Sequence, residues 1–309
     1  MDATVRKGAD AFGLGRIEAL SRVEGGLSND MWRVRSSEGD FAVKVMRAHA
    51  DALDFRGNVE AAFEIELRAF RAGVPCPEPR PTPEGRALLR VDDCWLRAHR
   101  WHDGTMPAVG EHLDAAGDLL ARVHRAGHVS TLPLEDRPMG PRRWAGLAEL
   151  PGLPDAVSAQ LRTAAPALAQ LESRTLSRHG EPTAFVDSHG DLDPKNTLVS
   201  DGRLLAVDWD AAGPRSVARE AVSLALDWSH DATGFRQALA AYSASSGRAI
   251  PAEPWVLGGW VDGMSGWLAF NAEHRSRTAL GAREVTDACT RLLTLHRSLD
   301  EHMTALGAI

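Results

Sequence analysis

The segment "AFVDSHGDLDPKNTLVSDGRLLAVDWD", residues 184–210, restricts the possible folds of this chain more than any other stretch. Short apolar runs with strand character enclose a loop crowded with aspartates, a lysine and an asparagine. So many polar groups cannot enter a core. Either the strands carry a surface hairpin, or they hold a site in place.

The hydrophobic period changes on either side of this segment. "GRIEALSRVEGG", "DMWRVRSS" and "DFAVKVMR" alternate apolar and polar residues, with "SSEGD" as the turn between the last two, and read as a three-stranded antiparallel meander. In "NVEAAFEIELRAFRAGVPCPEP" Phe63, Leu67 and Phe70 recur at helical spacing until Gly73 and Pro75 end the helix. "RALLRV" and "CWLRAHRWHDG" return to strand character. From Gly110 onward the pattern is helical, apart from two short strand-like pieces around His189 and Val207. The expected fold class is α+β: a small antiparallel-sheet lobe with one helix, residues 1–103, then a larger helical lobe, residues 104–309, that carries the polar loop. "WHDGTMP" marks the hinge, and the terminus around Lys7 is expected to fray.

Composition removes several function classes. With 42 acids against 35 lysines and arginines, the formal charge is -7. A nucleic-acid binder would need a basic stripe. No apolar run is long enough to span a membrane, and no secretory signal is visible at the amino end. Cys76, Cys94 and Cys289 are odd in number and form no CxxC pair, so they read as reduced thiols of a cytoplasmic protein. Of the basic residues only Lys7, Lys44 and Lys195 are lysine. Arginine serves nearly everywhere else, so a retained lysine marks a place where a compact, mobile ammonium is needed. Lys44 and Lys195 both fall in the segments with site character.

The residue types suit phosphoryl transfer, which needs an oriented nucleophile and neutralised triphosphate charge rather than covalent chemistry from the protein. Asp191 is placed to accept or orient the proton of an attacking hydroxyl. Asn196 and Asp208 offer oxygen donors suited to Mg²⁺. Asp210 is either a further metal ligand or a turn cap, and Lys195 either reaches a phosphate or faces solvent.

"HGDLDPKN" fills every fixed position of the kinase catalytic-loop pattern, and "VDWD" resembles the kinase metal-binding segment. Glycine rather than arginine at the second position resembles the aminoglycoside phosphotransferase and choline kinase family, which has the protein-kinase-like two-lobe fold. That resemblance covers most of the chain. It implies that Lys44, in "FAVKV", grips ATP or GTP phosphates, with a carboxylate partner among Glu60, Glu64 and Glu66. Glu66 is favoured because it stands seven residues before Gly73. It also implies that Gly25, Gly26 and Ser28 approach the β-phosphate. The strand-to-linker change at Arg100 to Gly104 places the nucleobase against the hinge backbone, at Arg100 and His102, and His189 is structural because Asp191 already fills the base role.

The acceptor is expected to be a small molecule carrying a hydroxyl: Gly190 stands where a protein kinase has its arginine, and too little chain follows Asp210 for an activation loop. A non-catalytic nucleotide-binding module would not need Asp191. Asp193, Asp227, Asp231, Asp262 and Glu273 are the candidate acids for a cationic acceptor; no more than two or three are expected to touch it, the others being ordinary exposed acids. An aminoglycoside or other antibiotic is the leading candidate for that acceptor and a sugar, choline or amino-acid hydroxyl the alternative.

Overall fold

The computed structural model describes residues 1–24, 29–47 and 50–309. In chain order the elements are α1 (Asp2–Ala11), β1 (Ile17–Val23), β2 (Asp30–Ser36), β3 (Gly39–Met46), α2 (Phe55–Arg71), β4 (Pro79–Arg80), β5 (Leu89–Val91) and β6 (Cys94–Arg100). Then follow α3 (Leu113–Ala126), β7 (Val129–Pro133), α4 (Gly140–Leu147), α5 (Asp155–Thr175), β8 (Pro182–Ser188), β9 (Thr197–Ser200), β10 (Arg203–Ala206), β11 (Gly213–Ser216), α6 (Val217–Trp228), α7 (Ala232–Ser246), α8 (Gly258–His274) and α9 (Ala279–Gly307). The α+β class is as expected, with an antiparallel sheet at the amino end and helices toward the carboxyl end.

Two compact units emerge, and they differ from a single cut near residue 103. The first holds Met1–Ala108, Arg122–His128 and Asp187–Pro214; the second holds Val109–Ala121, Val129–Val186 and Arg215–Ile309. The polar-loop segment thus belongs with the sheet unit. The reason is local: Ala206 N–H donates to the Pro75 carbonyl (2.9 Å), and Thr105 and Val199 exchange backbone hydrogen bonds (3.2 and 2.8 Å).

In the first unit the sheet order is β1-β2-β3-β6-β4, with β5 paired to β6. The meander has the expected register, Ser36 opposite Gly39 across the β2–β3 turn. One face is sealed by α1, whose Val5 and Ala9, one turn apart, join Phe12, Leu14, Val34, Phe41, Val43 and Leu96 in a buried cluster. The amino terminus is therefore a packed helix rather than a frayed end. Burying such side chains is worth about 1.5–3 kcal/mol each, more than fraying would gain in entropy. On α2, Phe55, Val59 and Phe63 pack with Met46, Ala87 and Leu88.

The second unit is a helical assembly with the β7–β8 pair, in which Val129 lies opposite Val186. Helices α3 and α7 touch at Gly117, where an added Cβ would stand 2.3 Å from the Ala238 carbonyl oxygen. Gly117→Ala must push the helices apart, at an expected cost of about 1–3 kcal/mol. Thermal denaturation checks this; an unchanged melting temperature would show that the helices separate without cost.

Candidate active site

The polar loop after β8 is organised by His189, which is fully buried. Its Nε2–H donates to the Val207 carbonyl (3.0 Å) and its Nδ1 accepts from the Asp191 amide (3.3 Å). The ring also lies 4.7 Å from Trp209, centroid to centroid. The imidazole therefore ties the loop to the Val207–Asp210 segment, which matches the structural role expected. Gly190 has φ of 84°. An L side chain there would be strained, which explains the glycine in this "HGD".

Asp191 is held from one side. Asn196 Nδ2 donates to its Oδ2 and to its backbone carbonyl, both at 2.8 Å. Lys195 Nζ lies 3.4 Å from the same Oδ2. Asp208 adopts the left-handed conformation, φ 62° and ψ 64°, a strain that aspartate tolerates better than most residues and that recurs at functional sites.

Lys44 does not meet a helix carboxylate. Its ammonium donates to Asp208 Oδ1 (2.7 Å) and to Asp210 Oδ2. Glu66, on α2, is 1% exposed. It accepts instead from Arg97 Nη2 at Oε2 (2.6 Å) and from His99 Nε2–H at Oε1 (2.9 Å). The physical reason lies in register: Lys44 is directly opposite Arg97 on β6, so a second cation on the same face reaches Glu66 first. Burial alone would raise Glu66, but His99 and Arg97 outweigh it and hold the carboxyl below its ordinary value. The competing acids have other fates. Glu60 accepts from the Ala87 and Leu88 amides (2.9 and 3.2 Å), and Glu64 is exposed.

The Arg100 guanidinium donates to the Glu38 carbonyl (2.6 Å) and lies 4.8 Å over Phe41, so only its backbone faces the segment expected to meet a nucleobase. His102, on the segment after β6, is partly buried. Gly25, Gly26 and Ser28 lie outside the described residues.

The acids expected to meet an acceptor divide. Asp193 is a turn cap: its Oδ1 accepts from the Asn196 amide (3.1 Å) and its Oδ2 from Lys195 (2.6 Å). The cation expected from an acceptor is thus supplied within the loop. Asp231 caps α7 through the Thr233 and Gly234 amides (3.0 and 2.9 Å). Asp227 accepts from Trp260 Nε1 (2.9 Å) and Arg291 (2.7 Å). Asp262 and Glu273, by contrast, line a pocket of 270 Å³ with Glu172, Ser265, Arg137 and Arg143, inside the second unit. Glu273 meets Arg143 at 3.2 Å. The Ser265 hydroxyl is buried without a hydrogen-bond partner. Desolvation raises Asp262 above its ordinary value; Arg219 opposes this, and Asp136 and Glu172 add to it.

Among the described residues, no three His, Cys, Asp or Glu side chains are grouped to hold a metal ion. Asn196 and Asp208 offer a partial set of oxygen donors, which suits Mg²⁺, a cation that usually takes one or two carboxylates and completes its shell with phosphates and water.

The model of the phosphotransferase enzyme family matches residues 19–254. The chain belongs to that family. As a member, it is a phosphotransferase acting on a hydroxyl of a small molecule. No curated protein matches it. Its fold is that of a choline/ethanolamine kinase family protein from Mesorhizobium loti, at 20% identity, TM-score 0.65, covering 99% of this chain and 98% of that one. A spectinomycin phosphotransferase solved with ADP and spectinomycin is similar at 13% identity, TM-score 0.63, covering 93% and 97%. A microcompartment-associated aminopropanol kinase follows at 16% identity, TM-score 0.63, covering 97% and 99%. Among the described residues no helix of this phosphotransferase is long and apolar enough to cross a membrane.

Proposed function

We propose that the chain transfers the terminal phosphoryl group of ATP or GTP to a hydroxyl of an amine-bearing small molecule of the aminoglycoside or related antibiotic kind, in the cytoplasm. The observation that carries the phosphotransfer reading is one hydrogen-bonded network within the first unit. Asn196 orients Asp191, Lys44 contacts Asp208, and the Val207 amide donates to the Asn196 carbonyl (2.9 Å) between them.

In this reading Asp191 takes or orients the hydroxyl proton with the carboxylate edge not engaged by Asn196. The Asn196 amide nitrogen is spent on Asp191, so its oxygen is the end that serves a hard cation. Asn196 and Asp208 would hold Mg²⁺, which neutralises phosphate charge when bound. Lys44 moves from the aspartates to the nucleotide phosphates, and the Gly25, Gly26 and Ser28 backbone and hydroxyl approach them as well. The nucleobase rests on the backbone around His102.

Taken by itself, the α4–α5–α8 pocket of the second unit suits an ammonium group. Glu172, Asp262 and Glu273 face it, outnumbering Arg137 and Arg143, and the unpartnered Ser265 hydroxyl offers one more polar contact. Structural neighbours named for ethanolamine and aminopropanol share the fold. A metabolic amino alcohol is therefore the second reading.

Turnover across a panel of hydroxylated antibiotics, amino alcohols and neutral sugars tests both readings. Amine-bearing acceptors should lead, and Asp262→Asn should lower their kcat/KM about tenfold, the scale of one near charge, while sparing neutral ones. Ammonium binding favours ionised Asp262, so this kcat/KM should fall as pH drops through that residue's raised pKa. Turnover confined to neutral acceptors would reject the cationic reading and leave phosphotransfer standing.

A further inference from the structure

Charges on the lysine face of the sheet form a chain: Glu66, Arg97, Asp210, Lys44, Asp208. Arg97 is its middle member. Its side chain is 2% exposed, and its two terminal nitrogens point to different carboxylates, Nη2 to Glu66 and Nη1 to Asp210. Asp210 is consequently held at both oxygens, by Arg97 and by Lys44. Burial would raise Asp210, but Lys44 and Arg97 outweigh it and lower it.

We propose that Arg97 is a positioning residue for phosphoryl transfer: it serves as the fixed counter-charge of Glu66 and Asp210, so that Lys44 is released to the nucleotide without stranding a buried carboxylate. The proposal rests on the phosphotransfer reading above. Where a lysine is the sole partner of a buried glutamate, moving that lysine exposes an unpaired buried charge, which is costly. Here the planar guanidinium, permanently charged and forked, spans both carboxylates in one geometry. It also bridges α2 to the Trp209–Ala211 turn, which packs against that helix. Asp210 is thus restrained from the Glu66 side, and the neighbouring Asp208 with it. A lysine at position 97 would keep the charge and lose the second contact.

The test uses the full chain with substitutions Arg97→Met, Arg97→Lys and the pair Arg97→Met with Glu66→Gln. The readouts are melting temperature, fluorescent ATP-analogue binding with and without Mg²⁺, and kcat and KM. Arg97→Met is expected to weaken Mg²⁺-dependent analogue binding and to lower kcat at least about tenfold, since Glu66 keeps only His99 as a partner and draws Lys44 toward it. Arg97→Lys should restore part of the kcat. The double variant removes the buried charges together, so its melting temperature should recover, yet its kcat should stay low because Asp210 has lost its anchor. Should the double variant match the wild-type chain in kcat and in Mg²⁺-dependent binding, Arg97 would be a structural counter-ion and the proposal overturned, with phosphotransfer intact. A wild-type chain that bound no nucleotide would overturn both together.

Discussion

Asp208→Ala is expected to abolish Mg²⁺-dependent nucleotide binding along with turnover. The substitution removes the carboxylate that Lys44 contacts at 2.7 Å and with it the one charged donor assigned to the metal. Affinity for nucleotide without Mg²⁺ should change much less. Alanine in the left-handed conformation costs about 1–2 kcal/mol, so Asp208→Asn is the companion variant: asparagine accepts that backbone and keeps the shape while losing the charge. Both should fail in calorimetric titrations with Mg²⁺ and nucleotide. Retention of Mg²⁺-dependent affinity by Asp208→Asn would take the metal away from this residue.

Asp191→Asn should behave differently. The side chain is 44% exposed and contributes to no core, so folding is expected to be unaffected. Nucleotide affinity should stay within a few-fold, while turnover falls by about 10² or more, the usual scale for loss of a proton-accepting and orienting group. Single-turnover measurement with saturating nucleotide isolates the chemical step. If this variant and Asp208→Ala gave the same Mg²⁺-nucleotide titrations, the separation of proton acceptance from phosphate binding would be wrong.

The meander, α2 and the polar loop were legible because each carries its own local signal: alternation, helical spacing stopped at Gly73, and a dense polar motif. The role of His189 followed from Asp191 already filling the base position. What could not be read was pairing across elements. Arg97 lies in an ordinary strand pattern, and only the β3–β6 register places it opposite Lys44; the sequence signal was an arginine at an inward strand position, "CWLRAHR". The helix at Asp2–Ala11 was missed because its four-residue apolar spacing is short and begins at the terminus. Asp227 and Asp231 read from sequence as acids for a cationic acceptor, and their partners within the chain, Trp260 and the start of α7, become visible only with the helices in place. Trp228 and Trp260 are buried, and Trp267 is 42% exposed beside Phe270.

The scarcity of lysine gives the surface an unusual chemical selectivity. Lys44 has a side chain only 9% exposed, which shields it from amine-directed acylating reagents. Lys195 is reachable, but although desolvation pulls its pKa down, Asp191 and Asp193 outweigh it and raise it, so little of its amine is in the reactive free-base form. Lys7, 62% exposed on α1 and paired with Asp92 across a solvated contact, is the lysine left to react. Among the lysine side chains, ester-activated dyes or resins should therefore select the one on α1, which marks that helix without an engineered tag.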